Sequence, residues 1–494
     1  MMDTCVLETT AWARANFSDC NFNDQRLTKR IVRCAELFAN RPNDSTPHQT
    51  QKWSECKAIY RLMDNEKVSF KAVIEPHCVR TRSHAREGVF LSICDTTELS
   101  FSVKRKIASL GKTGDNLGQG FFLHSSLLKS EATGEILGLA AQDLSYRIPV
   151  AKGETRAQRL KRARNSEFWG RVVQEVGLPQ PNATIIHVCD RGADNYEFFT
   201  HCQLQRSGWV TRVQHLTRKI VPAESSISGE PTKGSKKQTL IEYMKLQPVI
   251  GSYELKVAST RHRRARTVNV EVRIANVWVP RPYYMSPLLK EIGAPFIKMG
   301  VVIAEEIISG NARKKTDSDR EKPLQWVLYT NEKMTTFDDA WRVLGRYEQR
   351  WIIEEYHKAA KTGCQIQNRL YRTNKRLERI TGILSVLAVR LVAMKEFAKS
   401  QPDLKAVGVV PKQWLTVVCK LHRKLSPKSQ HRWRPSQVTV VQFIRGLAML
   451  GGFLGRKHDG DPGWITIWRG VKELMIVLNA RKRLRRRLEA RRSG

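Results

Sequence analysis

The 494 residues contain no CxxC pair and no regular spacing between cysteine and histidine, although ten cysteines are scattered at 5, 20, 34, 56, 78, 94, 189, 202, 364 and 419. That scatter excludes a zinc module and a disulfide framework, and the thiols read as buried or free in a reducing cytoplasm. Long apolar runs are also missing. The strongest candidate, GILSVLAVRLVAMKEFA, is broken by Arg390 and Lys395 and keeps helical periodicity, so it reads as a core helix. The opening MMDTCVLETTAWARANF carries acidic residues where a signal sequence needs an unbroken apolar stretch. A soluble, cytoplasmic protein with no membrane partner is expected, and no internal repeat is present. Acidic residues are scarce: 47 Asp and Glu face 85 Lys and Arg, a net charge of +38. Such a surplus repels itself in a free globule and predicts a polyanionic partner. Because the basic residues run the length of the chain, that partner is expected to be nucleic acid.

The apolar fraction is ordinary at 41%, and the length exceeds what one core serves, so about two to four domains are expected. Residues 1 to about 70 read as helical. NFNDQRLTKRIVRCAELFANRP has an apolar stripe at Leu27, Ile31, Val32, Leu37 and Phe38, with Arg26, Lys29, Arg30 and Arg33 among them; QKWSECKAIYRLMDN follows as a second amphipathic segment. From about residue 88 the pattern changes to strands. GVFLSICDTTELSF reads as a buried strand ending in Asp95, and FFLHSSLLKS and EILGLAAQDLSYRI as two more, with GKTGDNLGQG as a turn-rich connection. Residues 152 to 178 form a basic helical crossover, and ATIIHVCDRGADNYEFFTHCQLQ repeats the motif of strand, terminal aspartate (Asp190) and helix. Such alternation predicts an α/β domain with a mixed sheet, whose ligand-handling groups gather at the carboxyl ends of strands.

A β-rich insertion is expected from about 207 to 330. SYELKVAS and TVNVEVRIANVWV alternate at period two around the basic tip RHRRAR and predict a long antiparallel pair; KMGVVIAEEI and LQWVLYTNE add two strands. From about 376 the chain is helical to its basic end RKRLRRRLEARRSG. In that region Trp464, Ile467, Trp468, Leu474 and Ile476 form a stripe expected to be exposed on a monomer and covered by self-association.

The segment YEQRWIIEEYHKAAK has no Gly, Pro or β-branched run to interrupt a helix. At about 100° per residue, Tyr347, Arg350, Glu354 and Lys361 fall at roughly 0°, 300°, 340° and 320°, within one stripe. Glu355 lies about 100° away from Glu354, off that stripe. A stripe of one carboxylate, two cations and a phenol suits metal and phosphate; an ion-paired surface helix is the plainer alternative. Asp95, Asp190 and Glu354 together supply oxygen ligands of the kind that hold Mg²⁺ or Mn²⁺. Two such ions stabilise the attacking and leaving oxygens of a displacement at phosphorus.

These motifs resemble the DDE transposases of the insertion-sequence-four family, in particular its Tn-5-type members. The family's Tyr-x2-Arg-x3-Glu-x6-Lys signature stands here as Tyr347, Arg350, Glu354 and Lys361, with DTTELSF at Asp95 and VCDRGADNY around Asp190. PLQWVLYTNE and LGGFLGR also match in character, so the likeness runs over nearly the whole chain. It implies an RNase H-like catalytic core with a β-rich insertion, flanked by helical domains: a DNA-binding domain at 1–70, the catalytic domain at 71–375 and a dimerisation domain at 376–494. It implies Asp95, Asp190 and Glu354 as ligands of two Mg²⁺ or Mn²⁺ ions per site, with Tyr347, Arg350 and Lys361 on the phosphates beside the scissile bond. Trp326 matches an aromatic that stacks on a flipped base, Arg212 a DNA contact, and Arg26 and Arg30 basic residues of the recognition helix. Trp351 also matches, although packing against its own helix is its plainer role. Leu27 stands where a relative has arginine, so the preferred end sequence is expected to differ. The implied reaction nicks a transposon end, forms and reopens a hairpin, and joins 3′-hydroxyls to target DNA, with a homodimer pairing two ends. A nuclease of the same fold without strand transfer, and a DNA-binding inhibitor of transposition without catalysis, stay open.

Overall fold

The computed structural model describes the chain apart from residues 1–7, 51, 105–106, 115–116, 149–151, 156–157, 159–164, 226–228, 233, 258–264, 284–285, 308–322, 426–432, 457 and 493–494. Contacts divide it into two compact units, one made of Met1–Gly88, Thr96–Arg147 and Ile352–Gly494, the other of Val89–Asp95 and Ile148–Trp351. The strands, in chain order, are β1 (Glu87–Phe101), β2 (Gly111–Thr113), β3 (Gly118–Ser130), β4 (Ile136–Ser145), β5 (Asn182–Cys189) and β6 (Gly208–Arg212). They continue as β7 (Lys219–Pro222), β8 (Gln238–Thr239), β9 (Gly251–Val257), β10 (Arg266–Pro280), β11 (Phe296–Glu306) and β12 (Gln325–Thr330).

The first unit is largely helical. Its amino-terminal helices are Thr9–Phe17, Gln25–Asn40, Thr46–Gln49, Trp53–Asp64 and Phe70–His84, so helix continues past residue 70. Gln25–Asn40 starts where the Asp24 carboxylate accepts the Arg26 N–H at 2.9 Å. That helix buries Ile31, Cys34, Ala35, Leu37 and Phe38 and leaves Arg26, Lys29 and Arg30 exposed. GILSVLAVRLVAMKEFA lies in the helix Asn374–Ser400, buried along most of its length. No described helix is long and apolar enough to cross a membrane. The nine described cysteines are all buried and free. Beside the helices, β2 and β4 both pair antiparallel with β3.

One buried histidine joins three of these elements. His77 Nε2 accepts the Leu139 N–H from β4 at 3.0 Å, and His77 Nδ1 stands 2.7 Å from Asn16 Oδ1. With Nε2 an acceptor, Nδ1 carries the proton. A second proton would set N–H against N–H, and burial, with Arg80 and His84 nearby, depresses the pKa from 6.5 to about 3. Gly138, at φ +149°, lets β4 pass this close, since a Cβ there would come within 2.8 Å of His77 Nε2. Above pH 6.5 neither folded nor unfolded chain is charged at His77. As pH falls from there to about 3, only the unfolded chain binds the proton and the fold loses stability, by about 3–5 kcal/mol in all. Urea midpoints measured from pH 7 to pH 4 are expected to fall more steeply for the wild type than for His77→Gln.

The carboxy-terminal helices are Lys412–Leu425, Val440–Leu450 and Trp464–Arg492. They correct one expectation. Trp464, Ile467, Trp468 and Leu474 are 4%, 1%, 6% and 0% exposed within this chain, and of the stripe only Ile476 is open, at 46%. The reason is glycine: Gly451 and Gly470 let the last two helices approach until a Cβ at Gly470 would overlap the Leu447 carbonyl oxygen. The stripe is therefore core, packed in part around Gly363.

In the second unit the strand order is residues 89–95 of β1, then β5, β6, β12, β11, β10, β7 and β8, with β9 also on β10. β5 and β6 are parallel. β6, β12, β11 and β10 pair antiparallel in turn, so the sheet is mixed. The predicted long antiparallel pair is β9 with β10, in register from Val257 opposite Arg266 to Gly251 opposite Val272. Its tip, which holds most of RHRRAR, lies outside the described residues, as does much of the basic crossover before the helix Phe168–Val176.

Candidate active site

Asp95 is expected to end its strand, but β1 runs on to Phe101. DTTELSF carries period two: after Asp95 the residues Thr97, Leu99 and Phe101 are buried and Thr96, Glu98 and Ser100 partly open. Asp95 thus stands where a strand buried on both faces becomes one buried on a single face. Asp190 does follow the last residue of β5. Its side chain caps the turn Arg191–Ala193, with Oδ1 accepting the Gly192 N–H at 2.8 Å. Gly192 is needed there because a Cβ would lie 2.9 Å from that same oxygen.

The helix expected to run unbroken from 347 to 361 is interrupted twice. Phe337–Glu348 ends in a tight turn, with the Gln349 and Arg350 N–H groups donating to the Arg346 and Tyr347 carbonyls at 3.2 and 3.0 Å. Trp351–Lys358 follows and then widens into a π-turn, Ala359–Gly363, closed by Cys364 N–H to Ala359 O at 2.9 Å. A tight turn advances the chain by more than 100° per residue and a wide one by less, so the simple stripe arithmetic does not hold.

The tight turn brings sequence-predicted residues together in the second unit. Arg350 Nη1 is 3.2 Å from Asp95 Oδ2, with both side chains largely covered. Tyr347 is buried and sets its ring edge-on to Trp326 at 5.2 Å. Burial raises the Tyr347 pKa; Arg350 and Arg212 oppose that rise and Asp190 adds to it, which marks all three as its electrostatic neighbours. Arg212 ends β6 and donates to the Gln325 carbonyl of β12 at 3.2 Å. Asp95, Asp190, Tyr347, Arg350, Arg212 and Trp326 therefore form one neighbourhood of two carboxylates, two guanidiniums and two aromatic rings.

Glu354 and Lys361 belong to the first unit. Glu354 is partly exposed on its helix, whereas its neighbour Glu355 is held by Lys395 at 2.7 and 3.0 Å, a structural pairing. Lys361, in the π-turn, has its pKa lowered by burial, with Glu98 acting the other way. Glu98 is a neighbour that sequence reasoning missed, although it lies within DTTELSF. Trp351 is 64% exposed, so it does not serve to pack its helix. Arg26 is exposed and forks onto Asp24 at 3.0 and 3.1 Å; Arg30 is exposed one turn on. Among the described residues no three His, Cys, Asp or Glu side chains gather closely enough to hold a metal ion. Three carboxylates drawn together without a cation would repel one another, and here Asp95 is neutralised by Arg350 instead.

Residues 9–68 match the family model described as Transposase DNA-binding, and residues 386–490 match that described as Transposase Tn5 dimerisation domain. Both models describe transposase segments, and together they support a Tn5-type transposase of the insertion-sequence-four family. Both matches fall in the helical first unit, one in its amino-terminal and one in its carboxy-terminal segment. A solved piggyBac transposase synaptic complex with hairpin DNA aligns over 95% of this chain and 81% of that one, at 9% identity and a TM-score of 0.31. A superposition that loose carries no argument about fold or mechanism.

Proposed function

We propose that this chain is a cut-and-paste DNA transposase of the DDE type, with an RNase H-like core. The neighbourhood of Asp95, Asp190, Tyr347, Arg350, Arg212 and Trp326 is the observation that carries this reading. Asp95, Asp190 and Glu354 offer oxygen atoms only, the donor set that Mg²⁺ or Mn²⁺ prefers. When bound, two such ions supply an activated water or 3′-hydroxyl and stabilise the leaving oxygen. The remaining work belongs to the chain. Arg350, now on Asp95, is a cation that exchanges its carboxylate partner for a phosphate once DNA arrives. Arg212 and Lys361 add fixed positive charge for the scissile strand, and the partial burial of Lys361 strengthens its grip on an anion.

Trp326, braced by Tyr347, presents a π-face to a base leaving the duplex, an interaction of about 1–3 kcal/mol. Arg26 and Arg30 project from the exposed face of a helix within the matched DNA-binding segment and bind the transposon end. The carboxy-terminal helices serve the homodimer that pairs two ends, as the dimerisation match supports. Because the Trp464 stripe is internal, that interface uses other surface.

The reading is tested by the order in which steps fail. On linear DNA carrying the element's end, Lys361→Ala and Trp326→Ala are expected to nick at near the wild-type rate. Both are expected to stall before the hairpin, since a displaced base and bent backbone need them only after the first cut. Equal slowing of every step in both variants contradicts these roles.

A further inference from the structure

We infer that Asp194 is a positioning residue that fixes the spacing between the Asp190 carboxylate and the Arg212 guanidinium. The inference rests on the reading just proposed and adds a residue to it.

Cys189 of β5 is in parallel register with Thr211 of β6, so Asp190 and Arg212, one residue further along, stand level on neighbouring strands. Beyond them the two chains diverge into separate loops. Asp194 ties those loops together. Its own turn is closed on the Asp190 side, where the Asp194 N–H donates to the Arg191 carbonyl at 3.2 Å. Its carboxylate, fully shielded from solvent, reaches across to the loop after β6. There Oδ2 accepts the N–H groups of Gln214 and His215 at 2.8 and 3.2 Å, and Oδ1 takes Arg218 Nη1 at 2.5 Å. The other Arg218 nitrogen returns to the Asp194 carbonyl at 3.2 Å. Arg218 is in turn laid 5.8 Å from the centre of the buried Tyr329 ring on β12.

A carboxylate holding two backbone donors, with a guanidinium forked across it and its own backbone carbonyl, is a rigid joint, because three donors fix its orientation and its charge is neutralised within the protein. The joint matters because Tyr347 has both Asp190 and Arg212 as electrostatic neighbours. A change in the gap between metal ligand and phosphate-binding cation is a misplacement at the reacting centre. Shifts of about 1 Å there cost on the order of 100-fold in rate.

The experiment measures single-turnover nicking and hairpin formation in Mg²⁺ for the full chain and four variants: Asp194→Asn, Arg212→Ala, the two combined, and Arg218→Lys. Asp194→Asn keeps the shape and loses the charge. It is expected to lower the ratio of hairpin rate to nicking rate about 10- to 100-fold. That ratio is insensitive to any inactive fraction of protein. Added to Arg212→Ala, it is expected to cost no more than about twofold beyond Arg212→Ala alone, the non-additivity of residues acting through one another. Arg218→Lys, which keeps the charge and loses the fork, should show a smaller shift of the same ratio, and it carries the test should Asp194→Asn not fold. Multiplicative losses in the double variant, or an unchanged ratio in Asp194→Asn and Arg218→Lys, overturn the inference and leave the site assignment standing. A wild-type protein that cuts nothing in Mg²⁺ overturns both.

Discussion

Replacing Asp95, Asp190 or Glu354 by alanine is expected to abolish Mg²⁺-dependent nicking, by about 10³-fold or more, while single-end binding stays within about twofold. The asymmetry follows from where the groups sit. In the proposed reading, end binding draws on Arg26 and Arg30, exposed on the amino-terminal helix, and chemistry on carboxylates elsewhere in the chain. Removing Asp95 also leaves Arg350 without the carboxylate it now pairs with at 3.2 Å, so this variant is expected to bind non-specific DNA slightly more tightly. Gel-shift and nicking assays on the same preparations separate the two effects. Normal nicking by Glu354→Ala in Mg²⁺ would remove Glu354 from the site. Glu355→Ala is the matched control. Its carboxylate belongs to Lys395, so it is expected to lower stability and not chemistry.

The second large effect comes from a glycine. Gly470→Ala forces a methyl group into the Leu447 carbonyl oxygen, where backbone meets backbone and nothing can rotate away. The helices Val440–Leu450 and Trp464–Arg492 must separate, at about 3 kcal/mol or more. That separation uncovers Trp464, Trp468 and Leu474 and removes the frame of the matched dimerisation region. Single-end complexes are expected to survive and paired-end complexes to disappear, together with double-strand cleavage. Gly345→Ala, which meets nothing within 4 Å in its helix, is expected to stabilise by about 0.5–1 kcal/mol and to leave pairing intact. Paired ends at wild-type level in Gly470→Ala would show that this helix contact is not needed for assembly.

Sequence reached much of this, and its failures have physical causes. Asp190 at the end of β5 and the β9–β10 pair were legible because period two and strand-to-turn boundaries are local signals. The exposed basic face of Gln25–Asn40 was legible from its 3.6-residue stripe. The tight turn at Gln349–Arg350 was not, because no Gly or Pro marks it, and neither was the π-turn at Ala359–Gly363, whose glycine lies just past YEQRWIIEEYHKAAK and reads equally as an ordinary helix end. The first of these irregularities shapes the site, since it turns Arg350 onto Asp95. The Trp464 stripe was misjudged because an apolar face shows that something covers it and not what does. Gly470 and Gly451, the residues that admit a neighbouring helix, were in the sequence, but their partner surface is not a local property. Asp194 stood within the quoted VCDRGADNY as one more aspartate after a strand. Only the cross-strand bonds to Gln214, His215 and Arg218 set it apart.

The central claim, that this chain joins DNA as well as cutting it, is tested most directly by strand transfer. The protein is incubated in Mg²⁺ with a pre-cut, labelled transposon end and an unlabelled supercoiled plasmid, and the plasmid is resolved on a denaturing gel. Label covalently attached to nicked or linearised plasmid, lost in Asp190→Ala, is the result predicted. Plasmid that is cut but unlabelled, or labelled end that is bound but never joined, would contradict it.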